Sequence, residues 1–235
     1  MRRDYTAHVE GIRRTRLHPR RTDDLYLHLR RLRDDIRSAV ADLDARDVLD
    51  VFCGAKPYAP LFGRDTNYVG LDIDNAYGCA DVVSPEFLPF DDESFDLVLC
   101  TQAFYFVPTP EAAVDEFARV LRPDGHAVLT VPVAYPGTQR LYSAEQLRAL
   151  FAAWHDVCVV ENGRTAVSAA TLATYFVHQI EKRVPRVLRP LFLSSYVLMN
   201  VAGDLADLFE RRYLASAASL PTNLLVRAKR QPRTD

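Results

Sequence analysis

The chain has 235 residues, of which 49% are apolar and 26% charged, and a net charge of −2. This is the composition of a folded domain with a sizeable core, which excludes a disordered or fibrous chain. It also lacks the global basic excess expected of a nucleic-acid binder, and its four cysteines (Cys53, Cys79, Cys100 and Cys158) form no zinc-type cluster, so neither a metal site nor a disulfide framework is expected.

Residues 1–21 are rich in arginine and are predicted to form a solvated, partly ordered arm. No apolar run follows Met1, so a signal peptide is not expected, and the reduced cytoplasm is the expected compartment. Residues 22–45 are predicted to be an amphipathic helix. Thr22-Asp23-Asp24 would cap it, and Leu25, Leu29, Leu32, Ile36, Val40 and Leu43 would form one apolar stripe. Residues 1–46 are thus expected as an N-terminal extension and residues 47–230 as the main domain.

From Val48 the pattern alternates. Strands are predicted at 48–52, 68–73, 97–100, 126–131, 157–161 and 223–228, with helices near 57–63, 110–121 and 143–153. Strands alternating with helices predict a Rossmann-like α/β fold, a doubly wound and mostly parallel sheet. Residues 165–215 break the rhythm as a helical insertion interrupted near Pro185 and Pro190. Its apolar surface suits core packing or a homodimer interface, and the alternative is a cap over the acceptor. The longest uncharged apolar run, Pro190 to Gly203, falls short of the roughly 20 residues of a membrane span, so none is expected.

Three constellations carry chemistry. In the first, the strand ending at Asp50 runs into Phe52-Cys53-Gly54-Ala55-Lys56 and then a predicted helix. A small turn admits a ligand close to the backbone, and a helix N-terminus suits a carboxylate. Asp50 could hold an ammonium group or the turn itself. In the second, Asp72, with Asp74 as the fallback, ends the next strand about 20 residues on, the separation at which an acid accepts hydrogen bonds from ribose hydroxyls. In the third, the loop Ser84-Pro85-Glu86-Phe87-Leu88 could sandwich an adenine, and the following strand ends at Thr101-Gln102.

Leu88-Pro89-Phe90, Ser94-Phe95-Asp96-Leu97-Val98 and the run Phe117 to Pro132, with Leu121-Arg122-Pro123-Asp124-Gly125 at its centre, resemble the methyltransferase type 11 group of class I S-adenosylmethionine-dependent methyltransferases. The resemblance covers roughly residues 47–160. It implies S-adenosyl-L-methionine as cofactor, with Asp50, Cys53, Gly54 and Ala55 at its methionine end. Asp72 would take the ribose and Ile73 would touch adenine. Ser84, Phe87 and Leu88 would cover the adenine's other side, and Thr101 and Gln102 would lie near the sulfonium.

The chain departs from the family pattern at three places. Only the middle glycine of the Gly-x-Gly-x-Gly turn remains, so Phe52 is expected to point into the sheet core and Lys56 to project outward. Serine stands at position 84, where aspartate is frequent. Tyr105-Phe106 replaces a frequent Glu-His. Tyr105, Arg140 and Tyr142 are the candidate acceptor contacts, and His126, His155 and His178 are read as structural. The implied function is methyl transfer to a small-molecule acceptor, an oxygen of a sugar, lipid-linked glycan or secondary metabolite. The alternatives are RNA methylation, disfavoured because the arm has few aromatics for base stacking, and a pseudo-methyltransferase that binds cofactor or a partner. A nicotinamide oxidoreductase is disfavoured by the missing GxGxxG.

Overall fold

A computed structural model describes residues 2–85, 88–133, 140–214 and 219–231. Seven strands form one sheet in the order β3-β2-β1-β4-β5-β7-β6. They are β1 (Asp47–Val51), β2 (Asn67–Asp72), β3 (Val82–Val83), β4 (Phe95–Thr101), β5 (Leu121–Pro132), β6 (His155–Asn162) and β7 (Asn223–Lys229). The first five run parallel, β7 is antiparallel to β5, and β6 is antiparallel to β7. The order turns back at β1, which lies between β2 and β4. That reversal opens a crevice at the carboxyl ends of the strands, where this architecture places ligands.

The core has two layers because the central strands are apolar on both faces. One layer packs Leu49, Val51, Val98 and Leu129 against Phe104, Phe117 and Leu147, drawing on α3 (Pro110–Val120) and α4 (Ala144–Leu150). The other packs Val48, Leu97, Leu99, Val128 and Leu225 against Leu29, Leu32 and Ile36 of α2 (Tyr26–Val40). The apolar stripe read in the sequence is therefore half of the core, and α2 is the cover of one sheet face.

Residues Arg2–Leu17 are a helix, α1, where the sequence predicted a solvated arm. Val9 and Leu17 are buried, and the Arg13 Nε–H donates to the Ala55 carbonyl at 2.7 Å. The arginine stems lie along the protein while their charges find partners, so a charge-rich sequence still docks. The predicted cap of α2 is also absent. The helix starts at Tyr26 without a side-chain cap, and Asp23 instead accepts from the Arg20 backbone N–H and from Arg14.

After β6 the chain forms α5 (Thr165–Glu181) and α6 (Leu191–Tyr213), a hairpin packed on α2. The breaks fall at the predicted prolines. Gly203 lets α6 approach closely: a Cβ there would stand 2.7 Å from the Ala170 Cβ and would also strike Leu27.

Candidate functional site

A cavity of 860 Å³ opens at the carboxyl ends of β1, β2 and β4. Ten of the residues singled out in the sequence lie on its wall: Cys53, Gly54, Ala55, Asp72, Ile73, Ser84, Leu88, Thr101, Gln102 and Tyr105. They come from four separate stretches of chain and meet only through the parallel β2-β1-β4 register.

The turn after β1 is built differently from the sequence expectation. Phe52, Gly54 and Lys56 all have positive φ, 58°, 51° and 49°. Glycine adopts this region freely, whereas Phe and Lys are strained there by steric contact with the Cβ. Phe52 lies between core and cavity, packing on the core and lining the cavity. Lys56 does not project outward. Its side chain folds back over Gly70 and pairs with Asp81, whose carboxylate also accepts the Gly70 N–H at 2.7 Å. The predicted helix at 57–63 is a single 3-10 turn, Ala59–Leu61. Pro60 lacks the N–H that would bond the Lys56 carbonyl in a helix starting at Pro57. The helix N-terminus expected to receive a carboxylate is therefore not formed.

Asp72 accepts the Gly54 N–H at 2.9 Å through one oxygen and the Ile73 N–H at 2.8 Å through the other. It joins the ends of β1 and β2 while facing the cavity. A carboxylate has lone pairs to spare after two such bonds, which leaves acceptor capacity for a diol.

Asp50 stands behind the wall. Its side chain is buried, Oδ2 accepts from the Tyr68 hydroxyl at 2.6 Å, and Oδ1 has no partner. Burial pushes its pKa up to about 7, against the lowering influence of the Tyr68 hydrogen bond. The unpartnered Asp50 Oδ1 is a buried acceptor that a bound ammonium group or water would complete.

Gln102 has positive φ (56°) at the end of β4. Its side chain amide donates to Thr130 Oγ1 at 3.2 Å and to Asn223 Oδ1 at 3.1 Å, and Asn223 Nδ2 lies 3.2 Å from His28 Nδ1. His28 is wholly buried, and burial pulls its pKa down to about 3, aided by the Arg16 charge. A neutral imidazole on α2 thus braces the cavity floor through two amides. No sequence motif marked His28.

The sequence reading also missed Ile12 and Arg16 of α1, and Tyr77, all on the wall. The signal was present in Tyr5, Val9, Ile12 and Arg16, which recur at helical steps among the arginines. Arg16 places positive charge near Tyr58 and Tyr105.

Of the expected acceptor contacts, only Tyr105 reaches the cavity. Burial raises its pKa, so the hydroxyl stays protonated and can donate but not serve as a base. Tyr142 is buried against Phe104, with ring centroids 5.8 Å apart, and Arg140 donates to the Val107 carbonyl at 3.3 Å and lies 3.4 Å from the Tyr142 hydroxyl. Tyr142 turns its ring to Phe104 and not to the cavity, and Arg140 is spent on the Val107 and Pro108 carbonyls. Phe87 lies outside the described residues. Among the described residues no cluster of metal-ligating side chains is present, and all four cysteines are free.

Residues 49–129 match the family described as a methyltransferase domain. This stretch, about a third of the chain, is similar to methyltransferase domains. It is similar to the fatty-acid O-methyltransferase of Mycolicibacterium smegmatis, 33% identical over 40% of this chain and 39% of that protein. It is also similar to the phthiotriol/phenolphthiotriol dimycocerosates methyltransferase of Mycobacterium tuberculosis (H37Rv), 37% identical over 36% of this chain and 37% of that protein. The matches thus span about two fifths of these curated relatives' own length. Among solved structures, the chain resembles an S-adenosylmethionine-dependent methyltransferase of Thermotoga maritima with a TM-score of 0.54, 16% identity, and coverage of 88% of this chain and 93% of that one. It resembles the cyclase SpnF with a TM-score of 0.57 and 18% identity over 88% and 84%. These likenesses establish the shared fold; a cyclase on the same fold means that the reaction must be argued from the site.

The cavity fits S-adenosylmethionine. It offers a close backbone approach at Gly54, a carboxylate with free lone pairs at Asp72, and apolar faces at Ile73 and Leu88, while Asp50 lies buried behind the wall with one oxygen unpartnered.

Proposed function

We propose that this protein transfers the methyl group of S-adenosylmethionine to an oxygen of an apolar, acid-bearing small molecule such as a long-chain carboxylic acid. The observation that carries this reading is the composition of the wall beyond the turn. Tyr105, Phe106, Val107, Pro108, Ala113 and Phe117 make it mostly apolar, Arg16 is a cation on the cavity lining, and the Glu116 carboxylate on the same wall is held by Arg119. A sugar would leave its hydroxyls unpaired against such a surface. A carboxylate on an apolar tail satisfies both features.

In this reading Asp72 takes the ribose hydroxyls, Ile73, Ser84 and Leu88 flank the adenine, and Cys53, Gly54 and Ala55 receive the methionine end. When bound, the cofactor supplies an electrophilic methyl group on a positively charged sulfur. The chain's own residues then align the acceptor and exclude water, which is most of what an in-line transfer requires. Arg16 would hold the acceptor's charge, and the protonated Tyr105 would donate to an acceptor oxygen. A carboxylate is already ionised at neutral pH, so no general base is needed. This agrees with Tyr105-Phe106 at the place where relatives frequently carry Glu-His. The name of the fatty-acid O-methyltransferase, to which 40% of this chain is similar, supports an acidic lipid acceptor.

The test is transfer of labelled methyl from S-adenosylmethionine to a panel of long-chain carboxylic acids, phenols, apolar alcohols and sugars. Label should enter the acids as base-labile esters, and Arg16→Gln should raise KM for them at least tenfold, about 1.4 kcal/mol of lost charge pairing. Label entering only sugars or alcohols, or an unchanged KM in Arg16→Gln, would overturn the acceptor assignment.

A further inference from the structure

Helix α6 is turned inside out. Its buried positions are Tyr196, Asn200, Gly203, Asp207 and Glu210, and each polar member among them bonds to the protein. Asn200 Nδ2 donates to the Arg21 and Asp23 carbonyls at 2.9 and 3.1 Å. Asp207 pairs with Arg31 at 2.7 Å, and its neighbour Asp204 pairs with Arg30. Glu210 accepts the Thr165 and Ala166 N–H groups, so it caps α5 from the side. The outer face is apolar. Leu191, Leu198 and Leu205 recur every seven residues, with Leu208 and Phe209 beyond, and Leu198 and Leu205 are 70% and 61% exposed. At 1.5 Å per residue the helix is about 34 Å long.

The ends of this face are cationic. The turn that leads into α6 exposes Lys182, Arg183 and Arg186 around Val187, itself 80% exposed, and none of these cations is in an ion pair among the described residues. Arg212 and Arg211, the latter also paired with Asp207 at 2.9 Å, close the other end. A second copy of the chain packed along α6 would bring cations onto cations in the antiparallel arrangement and in the parallel one alike. An anionic surface meets both ends favourably. α6 is long and apolar enough to cross a bilayer, yet crossing would strip Asp204, Asp207 and Glu210 of their partners. Lying in the interface keeps those bonds and buries the leucines.

We infer that the α5–α6 hairpin docks the protein on an anionic lipid surface, with α6 in the plane of the membrane. The hairpin is tied through Arg21 and Asp23 to the segment following α1, the helix that supplies Ile12 and Arg16 to the cavity. Docking therefore sets the cavity wall at a defined relation to the lipid surface. The inference stands apart from the acceptor assignment, because surface binding can be read without cofactor or turnover.

The experiment is flotation of the full chain with vesicles of phosphatidylcholine plus phosphatidylglycerol, and with vesicles of phosphatidylcholine alone. Three proteins are compared: wild type, Lys182→Glu/Arg183→Glu/Arg186→Glu, and Leu198→Ser/Leu205→Ser. All substituted positions are exposed, and unchanged far-ultraviolet dichroism and melting establish that each variant is folded. Wild type should float with the anionic vesicles and much less with the neutral ones. The charge-reversed protein should bind at least about 100-fold more weakly, since the loss of three basic contacts alone accounts for that factor and the three new carboxylates add repulsion. The serine variant should also lose binding. Equal binding to both vesicle types, no binding by wild type at low salt, or undiminished binding by folded variants would each overturn the inference. So would a wild-type dimer in sedimentation that the serine variant abolishes while neither protein binds vesicles.

Discussion

Replacing Gly70 with alanine tests the most specific packing feature of the turn after β1. An added Cβ would stand 2.8 Å from Cys53 Sγ and 3.1 Å from Cys53 Cβ, and it would overlap the Lys56 side chain. Lys56 can swing away, which forfeits its pair with Asp81. That pair is half exposed through Asp81 and is worth at most about 1 kcal/mol. Cys53 is buried and cannot yield, so most of the strain falls on the turn. Overpacking of this kind costs about 1–3 kcal/mol, and the lower backbone entropy of unfolded alanine returns about 0.5–1 kcal/mol. The expected net destabilisation is about 1–2 kcal/mol, or roughly 2–8 °C in melting temperature for a chain of this size. Denaturant unfolding of Gly70→Ala, Cys53→Ala, Lys56→Ala and the two doubles with Gly70→Ala gives the couplings directly. Each double should be more stable than the sum of its singles implies by at least about 0.5 kcal/mol. Additive effects, or a neutral Gly70→Ala, would refute the packing described for Lys56 and Cys53.

Other substitutions probe the supports of the site. Asp50, with its pKa raised to about 7, favours folding most at low pH, and this contribution is lost as pH rises from about 4 through 7. Asp50→Asn should therefore gain stability relative to wild type across that window in pH-dependent melting; a constant difference would contradict a buried, raised carboxyl. His28, with its pKa lowered to about 3, destabilises the fold as pH falls from about 6.5 towards 3, because the unfolded chain takes the proton first. A folded His28→Asn should melt with a flatter acid limb, and an unchanged limb would contradict a neutral His28. Glu210→Ala removes the acceptor for two N–H groups at the start of α5 and should cost about 0.5–2 kcal/mol in denaturant unfolding. Gly203→Val should loosen α6 from Leu27 and Ala170, seen as faster hydrogen exchange in α6 than in the sheet; equal protection would contradict the tight crossing.

The sheet was legible because its strands are short apolar runs separated by helical periodicity. Every strand predicted from sequence is present in the sheet, and β3 (Val82–Val83) is too short to register. The polar wall residues were legible because strand ends fix them: Asp72 and Thr101 can point only to the crevice once β2 and β4 are parallel to β1. Tertiary contacts overrode sequence signals elsewhere. Arginines hid the stripe of α1, since their charge reads as solvation while their stems pack. Lys56 reads as a surface lysine until Gly70 and Asp81, which no local pattern links to it, are brought alongside. His28 carries no motif; it matters only because β7 places Asn223 between it and Gln102. α6 is apolar by sequence and so suggested core packing, but its few polar residues face inward, an inversion that periodicity alone does not orient.

The most direct test of the cofactor site is calorimetric titration of S-adenosylhomocysteine into wild type and Asp72→Ala. Wild type should bind one equivalent, and Asp72→Ala should bind at least tenfold more weakly, the loss of about 1.4 kcal/mol expected for hydrogen bonds to a charged acceptor. No heat from wild type up to millimolar ligand, or equal affinity in the two proteins, would contradict the assignment of the cavity.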